Sequence, residues 1–292
     1  MTTAKTIVVA VRDEQNGRIG LQRALHLLQS PQDRIHLVHV SRFESWLRVA
    51  ELLTPQRVIM TADGERDSDH YAWLRHLSES SNPNGPSVEF AVLDGEPGAA
   101  IVDFAAHMQA DLIVMATPRE GQMRELFIGS TALRVLRTAV CPVLIARSKT
   151  DAPFHRAMLA VDLDTAGQHV VRVASMWLAG AEINLAHAYR VPQEGQMRTR
   201  GAISEQEILK LRDSMKVDHE NKLEAYQKVL PTANIHLEHG WAASVILDFV
   251  FKLRPDVLVL SKHRGSNRDE RIFGSVTQFL LYHCPTDILL VP

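Results

Sequence analysis

The chain has 292 residues, 46% hydrophobic and 23% charged, with a net charge of −2. That is the make-up of a globular protein with room for two ordinary domains, and it excludes a charge-driven partner such as nucleic acid or an anionic membrane. Two cysteines, Cys141 and Cys284, exclude a disulfide framework or a cysteine metal set, and no run approaches the ~20 apolar residues of a membrane span.

Lys5–Val11 is a near-continuous apolar run, too short for a signal segment and patterned as a strand buried on both faces of a parallel sheet. Gly17–Gln29 follows with helical spacing, and Arg34–Val40 is a second strand. The linker-like stretch 41–60 carries Phe43, Trp46, Leu47, Leu52 and Leu53. Residues 56–80, with Tyr71, Trp73, Leu74 and Leu77, are expected to form a longer helix, and Val88–Leu93 a third strand. After the Asp94-Gly95 turn, Glu96–Gln109 is an amphipathic helix. Asp111–Ala116 is a fourth strand, a polar loop runs to Gly129-Ser130, a helix spans 130–139, and Val143–Ala146 is a last strand. Ser148 to Pro153 is short, polar and proline-ended, as inter-domain connectors are.

The same order then recurs, with strands near 156–162, 182–188, 234–239, 256–261 and 287–291. The longest helix, Ser204–Val229, opens on Ser204 and Glu207, a capping box, and stops at Leu230-Pro231. An offset of 145 holds without a gap from Phe90–Arg147 to Ile235–Pro292 and drifts to 150 at Ala10-Val11 against Ala160-Val161. Two repeats of that length are a duplicated domain rather than a solenoid, giving domains 1–148 and 153–292. Alternating strands and helices predict in each an α/β, doubly wound, five-stranded parallel sheet with helices on both faces, Rossmann-like. Ligands of such sheets sit at the carboxyl ends of strands, where the strand order switches direction.

Several conspicuous residues have ordinary uses. His36 with His39, and His236 with His239, lie three apart on strands and face opposite sides, so neither pair chelates. His39 and His187 match across the repeats as strand-end polar residues. Cys141 matches Thr286 and Cys284 matches Ala139, which argues against a duplicated redox role and for buried inert thiols. Asp103, Asp248, Asp111 and Asp256 are repeat-matched and structural. Gly129-Ser130 lacks the second glycine of a nucleophile elbow, and no Lys follows Gly129 or Gly274 as a Walker motif requires.

A short first strand, Asp-Gly before an amphipathic helix, an Asp-led apolar strand, a loop, Gly-Ser, then Cys-Pro-Val-Leu-Ile resembles the universal stress protein family. Two copies resemble its tandem members, over nearly all of both halves. In that family's nucleotide binders the loop reads Gly-x2-Gly-x9-Gly-Ser/Thr, and an Asp follows the first strand. Carried over, the first half departs: Ala116 and Arg119 replace the first two glycines, Gly129-Ser130 remain, and Arg12 holds the Asp position, with Asp13 one place later. In the second half Ser261 and Arg264 replace the glycines, Gly265 lies one residue off register, and Gly274-Ser275 and Asp162 remain. A Cβ in place of a glycine closes off close backbone approach to phosphates. The first site is therefore degenerate and the second partly retained.

Arg119 and Arg264 either supply charge to an anionic ligand or fill vacated space and pair with Glu125 and Glu270. Each Gly-Ser is either a phosphate seat or an ordinary serine cap. The resemblance implies a non-catalytic stress-response protein acting on a small ligand or a protein partner; the short first run and the cysteine count point to a cytoplasmic protein, the net charge to no nucleic-acid partner, and the histidine spacing to no metal site. An ATP binder with slow hydrolysis, using ATP with Mg in the second domain, and a carrier or scaffold for a non-nucleotide ligand stay open beside it. The apolar last strands, Val143–Ala146 and Ile288–Val291, are expected to pair the two domains as an intramolecular pseudo-dimer, with room for a further homodimer.

Overall fold

The structure, a computed structural model, describes residues 4–28, 30–41, 68–79, 85–117, 128–147, 152–199, 204–262 and 273–292. The chain divides into two units, Met1–Pro153 and Phe154–Val291.

In the first unit the strands are β1 (Thr6–Ala10), β2 (Arg34–Ser41), β3 (Ser87–Asp94), β4 (Leu112–Ala116) and β5 (Val143–Ala146). They run parallel in the order β3-β2-β1-β4-β5. Both faces are covered, so the central strands have no polar side to show: Ile7, Val8, Val9, Leu112, Ile113 and Val114 are wholly buried. Each such side chain is worth about 1.5–3 kcal/mol over leaving it in water. The helices are α1 (Glu14–Leu27), α2 (Ser68–Glu79), α3 (Pro97–His107) and α4 (Ser130–Thr138). Packing of α1 on α2 and of α3 on α4 makes the two outer layers.

The second unit repeats this with β6 (Arg156–Ala160), β7 (Glu182–Tyr189), β8 (Asn234–His239), β9 (Val257–Ser261) and β10 (Asp287–Val291), parallel in the order β10-β9-β6-β7-β8. Its helices are α5 (Thr165–Trp177), α6 (Glu194–Thr199), α7 (Glu205–Gln227), α8 (Ala242–Leu253) and α9 (Ser275–His283). Among the described residues no helix is long and apolar enough to cross a membrane.

Local chemistry sets the boundaries. The Asp13 side chain accepts from Asn16 N at 2.9 Å, so α1 begins at Glu14, three residues before the apolar periodicity does. Asp164 caps α5 through Ala166 N and Gly167 N. The capping box of Ser204 and Glu207 closes on α7 as the sequence implies. Gly95 and Gly240, at φ 126° and 155°, make the same turn ahead of α3 and α8 in the left-handed region that favours glycine.

Asp111 and Asp256 are structural: the Asp111 carboxylate accepts from Thr6 N at 2.8 Å, and that of Asp256 from His155 N and Arg156 N. Each pins the start of its unit's first strand. The expected helix 56–80 is seen as Ser68–Glu79, and 56–67 lie outside the described residues. The same holds for 42–60 with its aromatic cluster. A short helix not foreseen, α6, occupies part of 189–203.

Candidate functional site

In each unit the strand order turns around between its first and fourth strands, β1 and β4 in one and β6 and β9 in the other. The crevice beyond their carboxyl ends is where such a sheet takes ligands. In the second unit Ser261 ends β9, Asp162 follows β6 by two residues, and Gly274-Ser275 opens α9. The Thr277 hydroxyl of α9 donates to Ser261 O at 3.2 Å, and Lys262 N donates to Val291 O at 2.5 Å. The first turn of α9 thus rests on the end of β9, beside the strand that carries Asp162.

Gly274 stands at the cap of α9 and Gly129 at that of α4, and a glycine cap has no side chain to bond to its first turn. The serines are therefore not caps: Ser130 and Ser275 are the first helical residues. Both glycines hold ordinary extended angles, φ −62° and −57°. Among the described residues a Cβ on Gly129 would meet nothing within 4 Å. Backbone N–H groups at such a start favour an anion.

The turn carrying Asp162 is held from three sides. Tyr226 of α7, buried, donates its hydroxyl to Asp162 O at 2.8 Å and reaches Asp164 O at 3.2 Å. His187 Nδ1 lies 2.7 Å from Val161 O. A Cβ on Gly167 would fall 1.9 Å from Asp162 O, so only glycine lets α5 approach this closely. Burial raises the Tyr226 hydroxyl above its ordinary value, and nearby Asp164 and Asp162 add to the effect. Burial lowers the His187 imidazole, against the hydrogen bond to Val161 and the charge of Asp162. The Asp162 side chain itself is exposed.

The first unit keeps the scaffold and reverses the charge. His39 Nδ1 meets Val11 O at 2.9 Å, the counterpart of His187. Arg12, at the Asp162 position, is exposed and turns to Asp13 at 2.9 Å. Burial pushes the Asp13 carboxyl up, but hydrogen bonds from Asn16 N, Arg12 and the Asn16 side chain outweigh it and hold it low. Ala116 ends β4, and Thr117 N donates to Ala146 O at 2.8 Å. Arg119, Arg264 and Gly265, with Glu125 and Glu270, lie outside the described residues.

The histidine pairs divide as strand geometry demands. His36 packs on Phe104 of α3 and His39 on Trp73 of α2, on opposite faces. His236 packs on Phe249 of α8, and His239 on Tyr189 and Glu194. Among the described residues no three His, Cys, Asp or Glu gather to hold a metal. Cys284 is fully buried as expected; Cys141 is only partly buried, yet burial still pushes its thiol up to about 11.

Sequence reasoning missed a polar cluster that joins α6 and α7 to this end of the sheet. His187 Nε2 lies 2.9 Å from His219 Nδ1, and Glu194 takes Arg212 and His239 together. Its one legible signal was the row Arg212, His219, Leu223 and Tyr226 along one face of α7.

Comparison with known proteins places this geometry. The model of the universal stress protein family matches residues 3–147 and again 153–292. A universal stress protein of Methanocaldococcus jannaschii is 28% identical over 141 residues, 44% of this chain and 75% of that one. YxiE, a universal stress protein of Bacillus subtilis, is 26% identical over 145 residues, 48% of this chain and 97% of that one. The solved structure of a universal stress protein from Archaeoglobus fulgidus shares the fold at TM-score 0.64 and 13% identity, covering 99% of both chains.

Proposed function

The chain belongs to the universal stress protein family in two copies, and from that footing we propose that it is a cytoplasmic stress-response protein acting by binding, without catalysis. The observation that carries this reading is the second unit's crevice. There an exposed carboxylate, Asp162, and a helix start capped by a glycine, Gly274-Ser275, share the carboxyl ends of β6 and β9. An acceptor at one side and free N–H groups at the other suit a ligand with donors at one end and an anionic group at the other. An adenine nucleotide has that form. The α9 N–H groups and the Ser275 hydroxyl would hold its phosphates, Ser261, Arg264 and Gly265 would line the approach, and Asp162 would accept from the nucleoside. Where Mg accompanies ATP it neutralises phosphate charge.

Binding is favoured over chemistry because the ionisable groups around the crevice have structural duties. His187 holds a carbonyl and Asp164 caps a helix. The first unit, with Arg12 in place of the carboxylate, is the degenerate partner, its remaining positions being Ala116, Arg119, Gly129 and Ser130.

Protein purified without added nucleotide should release adenine nucleotide at close to one per chain, and Gly274→Val should abolish it. Absence of nucleotide, together with no thermal shift at millimolar Mg-ATP, would reject this ligand. Phosphate release from the loaded protein would replace the non-catalytic reading with slow hydrolysis. We further propose that the domains pair through the apolar strands β5 and β10. Their amides should then resist exchange as long as those of β1 and β6 do, and rapid exchange in both would overturn the pairing.

A further inference from the structure

The crevice of the second unit is tied to α7 by a contact whose hydrogens have only one arrangement. Val161 O accepts and cannot donate, so His187 Nδ1 carries the hydrogen of their 2.7 Å bond. The neutral ring then offers Nε2 as an acceptor. The hydrogen in its 2.9 Å contact must come from Nδ1 of His219. Both neutral rings are thereby fixed as the Nδ1–H tautomer, and both His187 nitrogens are occupied.

This contact matters to α7 because the helix has thin apolar anchoring. Of 23 residues only Ile208, Leu223 and Tyr226 are buried, while Leu209, Leu211 and Val217 stand exposed. Among the described residues its further ties are polar: His219 to His187, Arg212 to Glu194, Glu205 to Arg198, Gln227 to Ala233 O, and Tyr226 to the Asp162 turn.

We propose that His187 and His219 form a proton-gated clasp that holds α7 on the sheet and the Asp162 turn in place. The clasp is closed while the pair carries at most one added proton and opens when His187 and His219 are both charged. A first proton can enter at Nε2 of His219 and leave the bond intact. A second must enter at Nε2 of His187, where it sets N–H against N–H. The groups around the pair are Asp162 after β6, Asp218 and Lys222 on α7, and Tyr189 against the His219 ring. Beyond Tyr189 stand His239 of β8, Glu194 of α6 and Arg212. Burial lowers both imidazoles, so opening belongs below the ordinary histidine range. As a device regulating ligand access, the clasp rests on the reading of the Asp162 end as the binding end.

The test uses the full chain without ligand, so it is independent of nucleotide binding. Nitrogen-15 spectra of histidine-labelled protein near pH 7.5 should show the Nδ1–H tautomer for both rings, and Nε2–H at either would overturn the assignment. In hydrogen exchange from about pH 7.5 to about pH 5, corrected for intrinsic rates, amides of 162–168 and 205–227 should lose protection. The loss should be about tenfold, the equivalent of one pKa unit, beyond any loss at 242–253. Equal protection across the range would overturn the gate. His219→Gln, which keeps a donor without a titrating ring, should retain the protection near pH 7.5 and lose the acid step. His219→Leu should lose protection already near pH 7.5. A Gln variant that keeps the acid step, or a Leu variant protected like the parent, would refute the mechanism. If the clasp behaves as stated and no nucleotide binds at any pH, only the ligand assignment fails.

Discussion

At the scale of single residues, the repeat supplies its own comparison. Asp256 accepts two backbone N–H groups where Asp111 accepts from Thr6. Replacing Asp256 with Ala should cost about 1–3 kcal/mol, and the same change at Asp111 less, since a carboxylate that holds backbone donors is a charged hydrogen-bond partner. Urea unfolding of the two variants measures both, and equal losses would contradict the ranking. Cys141 gives a chemical reading of burial. With its thiol raised to about 11, first by burial and then by the charge of Asp111, only about one molecule in a thousand is thiolate near pH 8. Its reaction with a disulfide reagent should be correspondingly slow there and rise steeply above about pH 10.

At the scale of elements, close approach and thin anchoring decide what is fragile. Gly167→Ala would force α5 away from the Asp162 carbonyl and the Tyr226 hydroxyl. Overpacking of this kind costs about 1–3 kcal/mol, and here it should weaken ligand retention as well, because the displaced backbone carries Asp162. Thermal unfolding and the nucleotide assay read the two effects separately. The strands were legible from sequence because runs such as Ile7-Val8-Val9 are buried on both faces and the whole pattern is written twice. The short helix α6 was not, because none of its residues is buried and it is held by Glu194 on Arg212 and His239, contacts that periodicity does not encode. Asp162, Gly274 and Ser275 could be found by laying one half on the other. Tyr226 and His219 could not, since their partners lie 64 and 32 residues away in the chain. The serine caps failed for a simpler reason: each helix starts one residue earlier than a serine cap requires, at the serine itself.

For the whole molecule the perturbed histidines and carboxyls act in one direction. His36, His187, His219 and His236 are each lowered, in the first place by burial. Groups depressed in the folded state bind fewer protons there than in the unfolded chain, so stability rises with pH. Their contribution is complete above the ordinary value of 6.5 and is lost as pH falls below it. The lowered carboxyls of Asp13, Glu194 and Asp218 add a second loss, below the ordinary carboxylate range. The urea midpoint should therefore fall in two steps from about pH 8 toward acid, and a midpoint that rises between about pH 7 and 5 would contradict this. The two copies should also be unequal as binders, saturating at one nucleotide per chain.

Arg23 of α1, buried in the first unit, donates through Nη1 to Ala152 O at 2.5 Å. The join between the halves is thus fastened onto one of them as far as Ala152, although the repeat itself matches only to Arg147. A dissection of the chain should respect that hold. A first half cut after Pro153 keeps the acceptor that a cut after Ser148 removes from a buried guanidinium, and the longer piece should be the better behaved of the two on expression. The end of the join between the two copies, at Ala152, thus belongs to the architecture of the first.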